Sequence, residues 1–216
     1  MSRRSKQRPS PRSERSFRRR SPSRDAKIVI ISCEGCKTEP GYFREIAKRW
    51  GIRTQVIVLP APKGNNPINV LEAAIEEREK KKYEDFDENH DEVWCVFDRE
   101  GIHHKPSTFD QTLDRARSKK INIECAVSVP CFEFWYLLHF KRTARGFNDK
   151  NEIARVLKEY LPEHNDPQKA VEHLEPRTEE AIENAQWVRK DNARGNRDRP
   201  STDVDKLIVS LKKMRR

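Results

Sequence analysis

The chain has 216 residues with 45 Lys and Arg against 35 Asp and Glu, a formal net charge of +10, but that charge is concentrated. Residues 1–24 carry ten basic residues against the acid Glu14, which leaves only +1 for residues 25–216. No window approaches the roughly 18 consecutive apolar residues of a membrane helix, and no apolar stretch follows the N-terminal charges, which excludes a spanning protein and a standard secretory signal.

Residues 1–26 read as a disordered basic arm, because Ser, Arg and Pro cannot bury enough apolar surface to offset the entropy of ordering. Such a cluster suits contact with nucleic-acid phosphates through counterion release; the alternative is a solvated tail. Cys33, Cys36, Cys95, Cys125 and Cys131 form an odd set in largely apolar, strand-like contexts. That favours reduced thiols and a cytoplasmic location over a disulfide framework.

From Lys27 the pattern changes to the β-branched run Lys27-Ile-Val-Ile-Ile-Ser32, as in a strand buried on both faces. A helix is expected over 40–50, with Tyr42, Phe43, Ile46, Ala47 and Trp50 on its apolar face and Gly51 at its end. Residues 54–59 read as a second strand. Asn66-Pro67 then opens a helix on which Ile68, Leu71 and Ile75 share a face. Val93–Phe97 is a third buried strand, a helix starts at Ser107 or Thr108, and Ile121–Val129 is a fourth strand. Pro130 marks the start of a further, nearly all-apolar helix.

Strand alternating with helix predicts an α/β fold, a mostly parallel sheet with helices on both faces, over residues 27–145. Beyond about residue 145 the strands are expected to stop. Residues 146–216 read as a C-terminal helical appendage packing on the core, with helices at 149–161, 177–190 and 203–214, the last capped by Asp203.

In such folds ligands gather at the carboxyl ends of the strands, and acids fall there in three places. Glu34 and Glu39 follow the first strand, with Gly35 allowing a tight turn. Asp98 and Glu100 follow the third; two residues apart in an extended segment, they project to one side and can approach one cation. A hard divalent ion such as Mg²⁺, or Mn²⁺ in its place, takes such ligands. The third is Glu133, in the apolar helix, where an ionised carboxylate needs a metal, an Arg partner or the helix N-terminus. Together the acids would make a site for metal-assisted phosphoryl transfer. Lys37, Arg99 and His103 neighbour them and would contact the scissile phosphate. His104 reads rather as a loop histidine, and His139 as a core or groove histidine.

Cys33-Glu-Gly-Cys36 offers a rival reading, because C-x-x-C between strand and helix is the placement used by thioredoxin-like oxidoreductases. It leaves Asp98, Glu100 and Glu133 without a role.

Three segments carry a resemblance: Ile30-Ile-Ser-Cys-Glu-Gly-Cys-Lys-Thr-Glu-Pro-Gly-Tyr-Phe43, Trp94-Cys-Val-Phe-Asp-Arg-Glu100 and Pro130-Cys-Phe-Glu-Phe-Trp-Tyr-Leu-Leu-His-Phe140. They resemble, in order, the EG-x-x-TEP-x-Y-F, F-D-R-D and F-E-x-W-x-L-x-H-F stretches of the RloB-like family, and Pro200-Ser-Thr-Asp-Val-Asp-Lys-Leu-Ile-Val209 resembles its closing helix. The resemblance implies a Toprim-like domain in which Glu34 acts as general acid/base and Asp98 with Glu100 holds Mg²⁺. Glu100 stands where the family has Asp, which keeps the charge and lengthens the reach by one methylene; Cys36 stands where members often carry an acid. The resemblance also implies a role in phage defence at restriction-modification or abortive-infection loci, sometimes beside an ATPase partner.

The resulting expectation is a Mg²⁺-dependent nuclease with Glu34 and Glu39 catalytic, Asp98, Glu100 and Glu133 at the metal, and Lys37, Arg99 and His103 on nucleic acid. The competing class is a non-catalytic nucleic-acid-binding or regulatory subunit.

Overall fold

The computed structural model describes residues 26–63, 66–80, 86–99, 107–147, 149–195 and 200–215. The arm at residues 1–25, Glu100, His103 and His104 lie outside the described residues.

β1 (Val29–Cys33) is buried along its whole length, as its unbroken apolar run requires. It is followed by α1 (Thr38–Arg49), β2 (Val56–Val58) and α2 (Pro67–Arg78). The Asn66 side chain caps α2 by accepting from the Ile68 N–H at 3.2 Å, and Pro67 occupies the first helical position, where no donor is needed. β3 (Glu92–Asp98), α3 (Ser107–Arg117) and β4 (Glu124–Val129) complete the alternating part. The fourth strand thus begins at Glu124 rather than Ile121. Asn122 sits at φ 50°, and a residue with positive φ breaks the extended run before it.

The sheet has the order β2-β1-β3-β4-β5, with the first four strands parallel. β1 and β3 lie side by side with Cys33 opposite Val96, and β3 pairs β4 with Asp98 opposite Ser128. From β1 the chain moves outward to β2, then returns across β1 to β3 and on to β4. Right-handed crossovers put helices on opposite faces when the direction of travel reverses. Accordingly α1 packs on one face with Val29, Ile31, Trp94 and Val96, while α2 and α3 pack on the other with Ile30, Val93, Cys95 and Phe97. The crevice between β1 and β3 is therefore the topological switch point of the sheet.

After β4 come α4 (Glu133–Leu138), α5 (Lys150–Lys158), α6 (Pro167–Leu174), a single 3-10 turn (Glu175–Arg177) and α7 (Thr178–Arg194). They are followed by β5 (Ser201–Thr202) and α8 (Val204–Lys212). The strands do not stop at residue 145: β5 pairs antiparallel with β4, Ser128 opposite Thr202, and the two hydroxyls lie 3.0 Å apart in the interior. Side chains of α4 to α8 join those of α1 in one continuous apolar cluster on the first face of the sheet.

Asp203 precedes α8 but its side chain does not cap it. It pairs with Lys206 at 2.6 Å, and Thr202 Oγ1 accepts the Val204 N–H instead. The deeper acid is Asp205, 2% exposed, which takes both Nη atoms of Arg189 at 2.6 and 2.7 Å. Arg189 also donates to the Thr202 carbonyl, so a single guanidinium ties α7, β5 and α8 together. None of the described helices is long and apolar enough to cross a membrane.

Candidate metal and catalytic centre

Side chains alternate along a strand, so Asp98 shares the face of Trp94 and Val96, the face covered by α1 and α4. Glu100, two residues further on, lies outside the described residues. Glu34 leaves the end of the neighbouring β1. Its backbone N–H donates to the Val96 carbonyl at 3.1 Å, and its carboxylate accepts the Asp98 N–H at 3.1 Å. The ends of the two central strands are thereby tied to each other by Glu34 twice over.

Glu39 lies in the first turn of α1 and is 5% exposed. Its carboxylate turns back and accepts the Gly35 N–H at 3.2 Å. A Cβ on residue 35 would stand 2.1 Å from Glu39 Oε2, so any larger residue there must displace that carboxylate. Burial pushes the Glu39 carboxyl above its ordinary value, and the negative charges of Glu133 and Glu34 push it further, against the lowering effect of its backbone hydrogen bonds. Glu133 is half-buried in the first turn of α4, and its charge acts on Glu39. Four carboxylates, from the end of β1, the first turn of α1, the end of β3 and the first turn of α4, thus lie at the strand ends beside the switch point.

Groups lining the acids register the same charge. The Cys131 thiol is raised first by burial and then by Glu133 and Asp98. The Tyr136 hydroxyl is raised by burial, then by Tyr42, Glu133 and Glu39. Tyr136 is fully buried, and its hydroxyl has no hydrogen-bond partner among the described residues. Tyr136 follows Glu133 by three residues, the helical spacing that puts two side chains on one face; that spacing is the signal in the sequence by which it could be found.

The two expected cationic residues that are described, Lys37 and Arg99, lie on different elements. Lys37 is exposed at the start of α1. Arg99 bends away onto α3, with its guanidinium 3.7 Å from Asp110 and 5.6 Å from the Phe109 ring centre. His139 is buried and its Nδ1 donates to the Trp135 carbonyl at 2.9 Å. Burial lowers its pKa to about 4, so it sits neutral in the core and apart from the acids.

Cys33 closes the rival reading. A reactive thiol needs exposure and a depressed pKa, whereas Cys33 is fully buried on β1 and burial raises its pKa, with Glu39, Cys95 and Asp98 adding to the rise.

Among the described residues, no three His, Cys, Asp or Glu side chains are placed to hold a metal ion. The chemistry of the donor set still fits a hard divalent cation. It consists of carboxylate oxygens, and a bound cation would offset the negative charge of Glu133 and Glu34 that adds to the effect of burial on the Glu39 carboxyl.

A family model described as RloB-like protein matches residues 29–211, which spans β1 to α8. The chain belongs to the RloB-like protein family. The matched stretch contains all four carboxylates of the crevice and the whole of the five-stranded sheet. No curated protein and no solved structure matches the chain.

Proposed function

We propose that the chain is a Mg²⁺-dependent nuclease with a Toprim-like centre, acting in defence against phage. The observation that supports this reading is the placing of Glu34, Glu39, Asp98 and Glu133 at the strand ends of the switch point, where Glu34 accepts the Asp98 N–H and Glu39 accepts the Gly35 N–H. Natural sheets of this type use that crevice for ligands, and like charges are costly to gather without a cation to share.

On this reading Asp98 with Glu100, supported by Glu133, would hold Mg²⁺ or Mn²⁺. The ion would stabilise charge on the phosphate oxygens and lower the pKa of bound water. Glu34, fixed by the Asp98 N–H, is oriented to take a proton from the attacking water. As the new P–O bond forms and the old one breaks, the leaving oxygen needs a proton. Glu39, whose carboxyl is raised first by burial and then by Glu133 and Glu34, would supply it. Lys37 stands exposed at the crevice margin, and Arg99 can reach a phosphate by releasing Asp110, since an exposed pair of this kind contributes little. His103 would serve the same phosphate.

A second reading has its own support: Glu34 and Glu39 each accept a backbone hydrogen bond, so the acids have a structural duty as well. In that case the protein binds nucleic acid as a regulatory subunit, beside an ATPase partner. Asp98→Ala separates the two. A nuclease loses metal-dependent cleavage while keeping nucleic-acid affinity; a binding module shows no metal-dependent cleavage to lose and retains its protective effect in cells.

A further inference from the structure

The exposed rings of this protein are not scattered. Tyr160 and Trp187 are the large hydrophobic side chains that stand out into solvent among the described residues, at 40% and 36% exposure. Both flank the extended segment 141–147 that follows α4, whose exposed side chains include Lys141, Arg142 and Arg145. Tyr160 stacks on Phe140 with planes 16° apart and centres 5.7 Å apart, and the Arg177 guanidinium lies 5.3 Å from the Phe140 ring centre on that same assembly. Two residues further along, Arg142 lies 5.9 Å from the Trp187 ring centre.

This arrangement is built from beneath. Asn184, 1% exposed, donates to the Leu138 carbonyl at 2.8 Å and accepts Arg142 Nε at 2.7 Å. A buried amide therefore fixes the guanidinium against the indole, and among the described residues no carboxylate pairs with Arg142. Arg145 and Arg177 are partly offset by Glu152 and by Glu180 at 3.8 Å. Such surface pairs are weak and exchange readily for a phosphate.

We infer that the surface formed by Phe140, Arg142, Tyr160, Arg177 and Trp187 is a stacking platform for single-stranded nucleic acid. Base faces stack on aromatic rings without regard to sequence, and interleaved cations track the backbone. Duplex bases are already stacked and offer no free face, so a single strand is the form this surface fits. Glu133 opens α4 and Phe140 follows its last turn, which places Phe140 about 10 Å along the helix from Glu133. The inference takes its class of ligand from the nuclease reading, but it concerns binding and not cleavage.

Its test uses the full chain in EDTA, so that nothing is cut, with a fluorescein-labelled thymidine homo-oligomer, the matching uridine oligomer and a duplex. Trp50, Trp94 and Trp135 are at most 7% exposed, so quenching of intrinsic fluorescence by a stacking base reports on Trp187. We expect saturable quenching by the single strands and little by the duplex, lost in Trp187→Ala. Affinity from fluorescence anisotropy should fall about ten-fold in Trp187→Ala and in Tyr160→Ala, be largely retained in Trp187→Phe, and show a salt dependence reduced by about one unit in Arg142→Ala. Circular dichroism checks that each variant is folded. Unquenched tryptophan together with wild-type affinity in Trp187→Ala and Tyr160→Ala would overturn the inference. Failure of cleavage with Mg²⁺ restored, alongside intact quenching, would count against the nuclease reading alone.

Discussion

Gly35 and Glu39 occupy one another's space: the Gly35 N–H donates to Glu39 Oε1 at 3.2 Å, and a methyl group on Gly35 would come within 2.1 Å of Oε2. Gly35→Ala must therefore push the carboxylate out of its place, although the obstacle is the end of a flexible side chain and the fold can accommodate it. The expected result is a protein of near wild-type melting temperature whose metal-dependent cleavage falls on the order of 100-fold, as for other small misplacements of reacting groups. Because both changes act through one carboxylate, Gly35→Ala and Glu39→Ala should be strongly non-additive in a double-mutant cycle. Additive losses would show that Gly35 acts otherwise.

Glu39 also makes a prediction about pH. Its carboxyl is raised in the folded protein, so folding favours the protonated form. That contribution is fully present below the ordinary carboxyl value of 4.5 and is lost as pH rises through the folded value. Glu39→Gln removes the cost of the buried charge. Its melting temperature should match wild type in acid and exceed it increasingly towards neutrality, and added Mg²⁺ should narrow the gap by stabilising the wild-type carboxylate. A gap that is independent of pH would contradict the account.

His139 has the opposite sign. Burial lowers its pKa from 6.5 to about 4, so the fold favours the neutral ring. Its contribution is complete above 6.5 and is lost as pH falls through the folded value near 4. His139→Phe removes the bond to the Trp135 carbonyl, which costs about 1 kcal/mol at neutral pH, but flattens the stability profile across that window. Calorimetric melting from neutral to acid pH reads both effects.

The Arg189–Asp205 pair secures the part of the chain beyond α7. Asp205→Ala leaves a half-buried guanidinium with only the Thr202 carbonyl and, at 3.9 Å, Asp203, and should cost about 2 kcal/mol in chemical denaturation. Replacing both residues with apolar ones should recover most of that loss, because the pair's desolvation cost disappears with its attraction. Equal losses in the single and double variants would show that the pair is itself the source of stability.

The parallel part of this fold is written in short-range patterns. The apolar runs of β1 and β3, the Asn66-Pro67 start of α2 and the helical spacing of Tyr42, Phe43 and Ile46 each reflect local geometry, so they can be read residue by residue. β5 cannot: two residues carry no periodicity, and Ser201–Thr202 becomes a strand only because the edge of β4 is there to pair with. α6 was within reach, since Asp166-Pro167 has the cap and first-position proline of a helix start, and the Asp166 side chain does accept from the Gln168 N–H at 3.1 Å. The crevice divides in the same way. Strand-end placement identifies Glu34 and Asp98 as candidates, whereas the turn-back of Glu39 onto Gly35 and the departure of Arg99 to Asp110 depend on packing between α1, β3 and α3 that no local pattern encodes.

The central claim is that the four carboxylates at the switch point hydrolyse phosphodiesters with a divalent ion. Its most direct measurement incubates the purified full chain with single-stranded and duplex DNA and RNA in Mg²⁺, in Mn²⁺ and in EDTA, with Asp98→Ala alongside. The account predicts cleavage of at least one substrate with either ion, none in EDTA, and none by Asp98→Ala, whose binding in EDTA is unchanged. Absence of cleavage with every substrate and ion, or equal cleavage by Asp98→Ala, would contradict it.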